Sequence, residues 1–482
     1  MFDWLLRRAL RLRRAYRSLA ARRAVVRGQE HWQLPALEDH VRWLQTLYQH
    51  RWPVTGDGTG DRGSALGVEG EAPPVFGDFA SEERAGRPRI LFVGEVWSTH
   101  AHSWLELLRE TDYNIRFFAI PQGLPRDDFP WPTYVTERPA AAGHPLRRGI
   151  APWVYDLATG LDGFERGDGR AKGLPREYLA WVIRRWRPDV IHTLGLTPAS
   201  EFLYSTQLDH TDIADIGRWI IQLRGGSDLF FSHADPARQY LAIVVKAAHA
   251  VISDNEVNYT YLEQMGVPGG KRASLGTVPG TGGIDIESLE ARWDGPPSGR
   301  RLILWPKAYE APWAKALPVL EALEMAWSRI QPCRLVMSMT AVEVRDWIRF
   351  WPEEMRGAVE MHEHLPRREV LALMPKARVL LGPTLVDGVP NTMFEAMASG
   401  AVPVISPIVT VSRVVAHEEN VFFARNLYPE EIAAQLVRAM NDDQAVDAMA
   451  ERNRAVVRRL ACRRAIRERV LRFYADVLTG ST

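Results

Sequence analysis

Asp387 and Glu395 stand eight positions apart in GPTLVDGVPNTMFEAMASG, residues 382–400. A carboxylate is a good paired acceptor for the neighbouring hydroxyls of a sugar. Between the two acids, the loop TLVDGVPN feeds the two-turn helix TMFEAMAS. A helix start offers N–H groups and the positive end of its dipole to an anion such as phosphate. Gly388 lets the backbone come close to whatever lies there. A second reading needs no ligand. Thr392 to Glu395 fits a capping box, with Thr392 as N-cap and Glu395 at N3, and Gly400 ends the helix. Both readings stay open on the residues alone.

The segment must be held by its neighbours. ARVLL before it and VPVIS after it are short buried-strand patterns. The same pattern recurs at Ile90–Val93, Ile115–Ile120, Val190–Thr193, Trp219–Leu223 and Ala250–Ser253, with helical stretches at Ser103–Arg109 and Tyr178–Trp186. A second run opens at Leu302–Trp305 and continues through a helix at Ala314–Arg329, the strand CRLVMSM, Val359–Glu363 and a helix at Arg367–Met374. Strand and helix alternation predicts an α/β chain of two Rossmann-like domains facing a cleft. Ligands in such sheets sit beyond the carboxyl ends of the strands. The divisions expected are a basic helical extension over 1–54, a flexible linker over 55–87, a first domain over 88–284, a second over 285–460 and a C-terminal helix over 461–482 that packs back across the cleft.

Bulk properties exclude several classes. The chain has 482 residues, 46% hydrophobic and 25% charged, with a net charge of +1, so nothing global argues for nucleic acid. Cys333 and Cys462 cannot build a disulfide framework and fit no metal-ligand spacing, and the cleft segments hold no Asp-x-Asp pair; no metal is expected. No apolar run is long enough to span a bilayer, and charge throughout the first residues argues against a secretory signal. A cytoplasmic protein is expected. Residues 1–27 carry nine Arg and one Asp, with Phe2, Leu5, Leu6, Ala9, Leu12, Tyr16 and Leu19 at helical spacing. Such a helix can lie on an anionic membrane at its inner face, or pack its apolar stripe on the protein body.

TLVDGVPNTMFEAMASGAVPVIS resembles the C-terminal signature of family-4 retaining glycosyltransferases of the GT-B fold, a Glu-x7-Glu motif followed by Ala-Met-Ala-x-Gly-x-Pro-Val-Ile. Asp387 takes the first acidic place and Glu395 the second. RPDVIHTLG, GTVPGTGGIDIESL and HEHLPRREVLALM resemble further landmarks in the expected order, over roughly residues 88–440. The resemblance implies transfer of a sugar, with retention, from a UDP- or GDP-sugar to a glycan, lipid-linked or other envelope or exopolysaccharide acceptor. No tightly bound cofactor is implied beyond that co-substrate.

It also implies roles for residues. Glu395 would take the ribose hydroxyls and Asp387 the transferred sugar, while backbone groups of Gly388, Val389, Pro390, Asn391 and Thr392 face sugar and phosphate. Lys307 and Lys315, two of only six lysines, would hold the pyrophosphate, and His364 and Leu365 would lie on the base side. Leu194 stands where the family has a catalytic histidine, so that role passes to His100 or His102 in THAHS. Gly94, His192, Arg224 and Asp228 are expected on the acceptor or phosphate side. Two other readings share the fold: a scaffold that binds a nucleotide or a protein without turnover, and a sugar-nucleotide epimerase or a phosphorylase.

Overall fold

The protein is described by a computed structural model over residues 75–76, 84–96, 98–120, 129–134, 173–225, 229, 235–293 and 295–480. The basic stretch 1–27, the 55–74 part of the expected linker and Asp228 lie outside the described residues.

Two sheets organise these residues. The first contains β1 (Val75–Phe76), β2 (Arg89–Gly94), β3 (Asn114–Ala119), β4 (Thr133–Tyr134), β5 (Val190–Leu194), β6 (Arg218–Gln222) and β7 (Ala250–Ile252), in the order β1-β4-β3-β2-β5-β6-β7. All pairings are parallel except β1 with β4. The second sheet is parallel throughout: β8 (Leu302–Trp305), β9 (Arg334–Met337), β10 (Val359–Met361), β11 (Ala377–Gly382), β12 (Val402–Ile405) and β13 (Phe422–Phe423), in the order β10-β9-β8-β11-β12-β13.

Strand composition explains the layering. In β2, Leu91 and Val93 face one apolar core while Ile90 and Phe92 face another. In β11, Val379 and Leu381 face one core and Leu380 faces another. A strand buried on both faces needs a continuous apolar run, which is why these strands lack a polar alternation.

The second face of the first sheet is closed from far along the chain. Helix α1 (Thr99–Leu105) covers part of it. Ile466, Val470, Phe473, Tyr474 and Val477, from the chain's last helix (Arg463–Thr479), cover more. Burying each such side chain is worth about 1.5–3 kcal/mol. Arg463 secures the crossing, donating to the Thr281 carbonyl at 3.1 Å and to the Ser103 carbonyl at 2.6 Å.

Local boundaries shift slightly from expectation. The first helix begins at Thr99, four residues before the expected Ser103, and ends in a tight 3-10 turn at Glu106–Leu108. The larger difference is at the helix Asn391–Ala398. Pro390 is its N-cap residue and no side chain caps it, so Thr392 and Glu395 form no capping box. Gly400 follows the helix with φ +79°, a left-handed conformation that suits glycine.

Candidate active site

Loops leaving the carboxyl ends of five strands converge between the two sheets. From the first sheet come Glu95 and His100 after β2, Arg224 after β6, and Asp254 after β7. From the second come Lys307 after β8 and Asp387 after β11. The helix α2 (Arg367–Leu373) follows β10, and α3 (Asn391–Ala398) follows the Asp387 loop.

Lys307 Nζ lies 3.6 Å from Asp387 Oδ2. Asp387 pushes the ammonium above its ordinary range, against the opposing effect of burial. Asp387 is held in turn: its Oδ1 accepts from the Gly388 N–H at 2.9 Å, and its carbonyl accepts from Thr410 Oγ1 at 3.0 Å. Glu395, only 4% exposed, is ion-paired to Arg367. A carboxylate that accepts one donor still has lone pairs to offer a hydroxyl. The pair therefore orients Glu395 without blocking it.

His100 meets the cations of both halves. Burial depresses it most, and Arg224, Lys307 and Arg367 depress it further, to about 3. It is therefore a neutral imidazole near pH 7, with Nδ1 beside Gly280; a Cβ on Gly280 would stand 3.3 Å from that atom. Arg224 donates to Ser98 Oγ at 3.1 Å and lies 3.8 Å from Glu95. The arrangement offers three positive groups and one neutral imidazole, faced by Asp387 and Glu395. Such a site can hold a diphosphate and stabilise negative charge that grows on it.

Residues 311–442 match the family described as glycosyl transferases group 1. No curated protein matches the chain. Solved structures do match. Anabaena HepE in complex with UDP-glucose is 11% identical with a TM-score of 0.59, covering 80% of this chain and 99% of that one. Sucrose-phosphate synthase of Thermosynechococcus elongatus is 15% identical with a TM-score of 0.57, covering 82% and 100%. A trehalose-6-phosphate structure from E. coli, bound with UDP-2-fluoro glucose, is 13% identical with a TM-score of 0.56, covering 81% and 99%. At such identities the likeness is one of architecture. The fold is GT-B.

Within this GT-B chain the structure separates the residues expected to act together. Asp387, Lys307, His100, Arg224 and Glu395 converge. Lys315 does not join them. Its ammonium is 3.0 Å from Glu310, and Glu310 also accepts from the Ala316 N–H at 2.8 Å, at the start of the helix Ala316–Ile330. Its backbone is tied to Asn426 at 2.9 and 3.0 Å. Lys315 is thus engaged by Glu310 at the start of a helix, apart from the Lys307–Asp387 pair.

The two histidines of THAHS also part. Residues two apart on a helix point to different sides. His102 turns to Phe129 and Trp131, with ring centroids 5.9 and 5.8 Å away, whereas His100 turns to the cations. His192 is fully buried, with Nδ1 2.5 Å from Tyr474 Oη and its ring between Phe92 and Trp104, so it does not reach the acceptor side. Gly94 ends β2 against Leu194 and Phe117, which leaves its contribution to the backbone.

The phosphate loop also differs in detail. The Gly388 N–H is taken by Asp387, and the Val389 N–H faces the Asp254 carboxyl. Asn391 Oδ1 accepts from Thr281 Oγ1 at 2.9 Å. Pro390 has no N–H, so the first turn of α3, with Asn391 and Thr392, is the part left to meet an anion. On the base side, the Leu365 N–H donates to Ser338 Oγ at 2.9 Å, and His364 is exposed beside it.

Three residues of the site were missed in the sequence: Glu95, Arg367 and Asp254. Arg367 stood in HLPRREV, immediately after the base-side loop, where a basic pair was a usable signal. Asp254 in VISDN gave none, because its neighbours in the site come from the other sheet.

Proposed function

We propose that this protein transfers a sugar, with retention of configuration, from a nucleoside-diphosphate sugar of the UDP or GDP type to a glycan, lipid-linked or other envelope or exopolysaccharide acceptor. The observation that carries the reading is the Lys307–Asp387 pair at the mouth of α3, with Glu395 inside it. HepE and the E. coli structure were solved with UDP-sugars, and a nucleotide sugar suits this set of groups for the same chemical reasons.

Departure of the nucleoside diphosphate is the demanding step, because the bond to the sugar carbon breaks and negative charge gathers on the β-phosphate. Lys307 and the start of α3 meet that charge; a preorganised donor of this kind contributes about 3–4 kcal/mol. Arg224 adds a cation from the first sheet. Glu395 accepts from the ribose hydroxyls and Asp387 from the sugar, which fixes the reacting carbon in the cleft. Neutral His100 is suited to hydrogen-bond a sugar hydroxyl rather than to carry charge.

The test is nucleoside diphosphate release over a panel of UDP-, GDP- and ADP-sugars, with the anomer of the product read by NMR. Release from one donor class, with the donor's anomeric configuration kept, is expected. If no donor binds and Glu395→Ala changes nothing, the protein is a non-catalytic scaffold. Binding to anionic vesicles, compared with and without residues 1–27, tests the membrane-surface role of that basic stretch. Equal binding by both forms would remove it.

A further inference from the structure

The loop that carries Asp387 is not free in the cleft. It packs at Gly388 onto the first sheet's side, against Asp254 and Gly225. A Cβ on Gly388 would stand 2.2 Å from Asp254 Oδ2 and 2.6 Å from the Gly225 Cα, closer than any side chain allows. The next residue turns its N–H to the same carboxyl. Asp254 is itself set by the first sheet's side. Asn255 Nδ2 donates to its Oδ1 at 2.6 Å, while Asn255 Oδ1 caps the helix Glu256–Gln264 by accepting from the Asn258 N–H at 2.9 Å. Asn258 Nδ2 reaches the Gly225 carbonyl at 3.1 Å, so the loops after β6 and β7 form one platform. One carboxyl oxygen is thus held from behind and the other is presented to residues 388–389.

We propose that Asp254 is a positioning residue, docking the 387–389 loop of the second domain onto the first and thereby aiming Asp387 into the cleft. The inference rests on the proposed sugar transfer for its consequence, and on contacts alone for the docking. Asp387 belongs to the sugar end of the site, whereas Lys307, Glu395 and the start of α3 hold the nucleotide from the second domain. Loss of the docking contact should therefore cost turnover and leave nucleotide affinity alone. The neighbouring contact between Thr281 and Asn391 runs between the same two regions and keeps the domains together when Asp254 is changed.

The experiment uses the full chain and three forms: wild type, Asp254→Ala and the isosteric Asp254→Asn. Hydrogen–deuterium exchange of the 385–391 segment reads docking without any ligand. Titration with UDP and GDP reads the nucleotide seat. Nucleoside diphosphate release from the donor that the panel identifies reads turnover. Asp254→Ala is expected to speed exchange of the segment about tenfold, lower kcat about tenfold and leave the nucleotide Kd within twofold. Asp254→Asn keeps an oxygen for the Val389 N–H and is expected to restore most of both. Unchanged exchange in Asp254→Ala overturns the proposal, and so does an Asn variant as impaired as the Ala variant. A tenfold loss of nucleotide affinity also overturns it, by making Asp254 a ligand contact. Failure of wild type to bind either nucleotide strikes the proposed function instead, while the exchange result still judges the docking.

Discussion

Two carboxylates that meet in the cleft, Asp387 of the second domain and Asp254 of the first, are held in opposite ways. On the second domain's side, Asp387 lies against Lys307 and Glu395 against Arg367, so each acid is balanced by a cation. On the first domain's side, half-buried Asp254 has an amide and a backbone N–H for company, and Asp387 is the charge that faces it. Burial raises it most, and with Asp387 lifts its titration to about 7. The cation-paired acids are placed to hold a charged ligand. The other side is built to dock a loop. Ion pairs across a ligand seat and a lone acid at a domain contact should therefore fail differently when cut.

The largest expected effect lies on the paired side. Lys307→Ala removes the cation placed to meet the departing diphosphate and leaves Asp387 unbalanced. A fall of about 100- to 1,000-fold in kcat is expected, the cost of losing one preorganised stabilising group. Steady-state nucleotide release measures it. A loss below fivefold would move the phosphate seat elsewhere in the cleft.

Glu395→Ala should come next. It deletes the ribose acceptor and leaves Arg367 without its carboxylate in a partly buried site. Losing one partner of a charged hydrogen bond costs about 1.5–3 kcal/mol, or about 10- to 150-fold in nucleoside diphosphate affinity by titration calorimetry. Arg367→Ala should be milder, because Glu395 stays available to the ribose. If Arg367→Ala is the worse of the two, the arginine itself touches the ligand.

Lys315→Ala is the control that sharpens this ordering. The sequence treats Lys307 and Lys315 as a pair, yet Lys315 serves Glu310 and the start of a helix. Less than threefold change in kcat/KM is expected, with a small drop in thermal midpoint. A loss that matches Lys307→Ala would restore the pair.

These contrasts show what could be read from residues alone. The strand patterns were legible because both faces of β2, β8 and β11 are buried, which leaves a continuous apolar signature. Asp387 and Glu395 were legible because one loop and one helix carry both, so their spacing survives in the sequence. Arg224, His100 and Lys307 meet only when two sheets face each other, and the sequence separates them by many residues. Asp254 is the extreme case, since its partner is the missing side chain of Gly388. The capping box misled for a physical reason. Pro390 starts the helix earlier and Arg367 takes the Glu395 carboxylate, so the local motif lost to a contact from another loop.

The smallest expected effect tests the unpaired side by pH. The groups facing Asp254 are Asp387 from the second domain, with Lys307 beyond it, and Asn255 and Tyr259 from its own neighbourhood. Because its folded value is raised to about 7, the folded protein binds a proton there that the unfolded chain has already lost above the ordinary carboxyl range. Its contribution to stability is full below that range and is lost as pH rises towards and through about 7. Asp254→Asn is neutral at every pH and has no such loss. Its thermal midpoint relative to wild type should therefore climb between pH 4 and pH 8, by on the order of 2 °C. Glu395→Gln removes the charge paired with Arg367 and is the comparison on the paired side. If the Asp254→Asn difference stays flat across that window, the fold does not hold Asp254 protonated. The contrast between the two sides of the cleft would then be one of position alone.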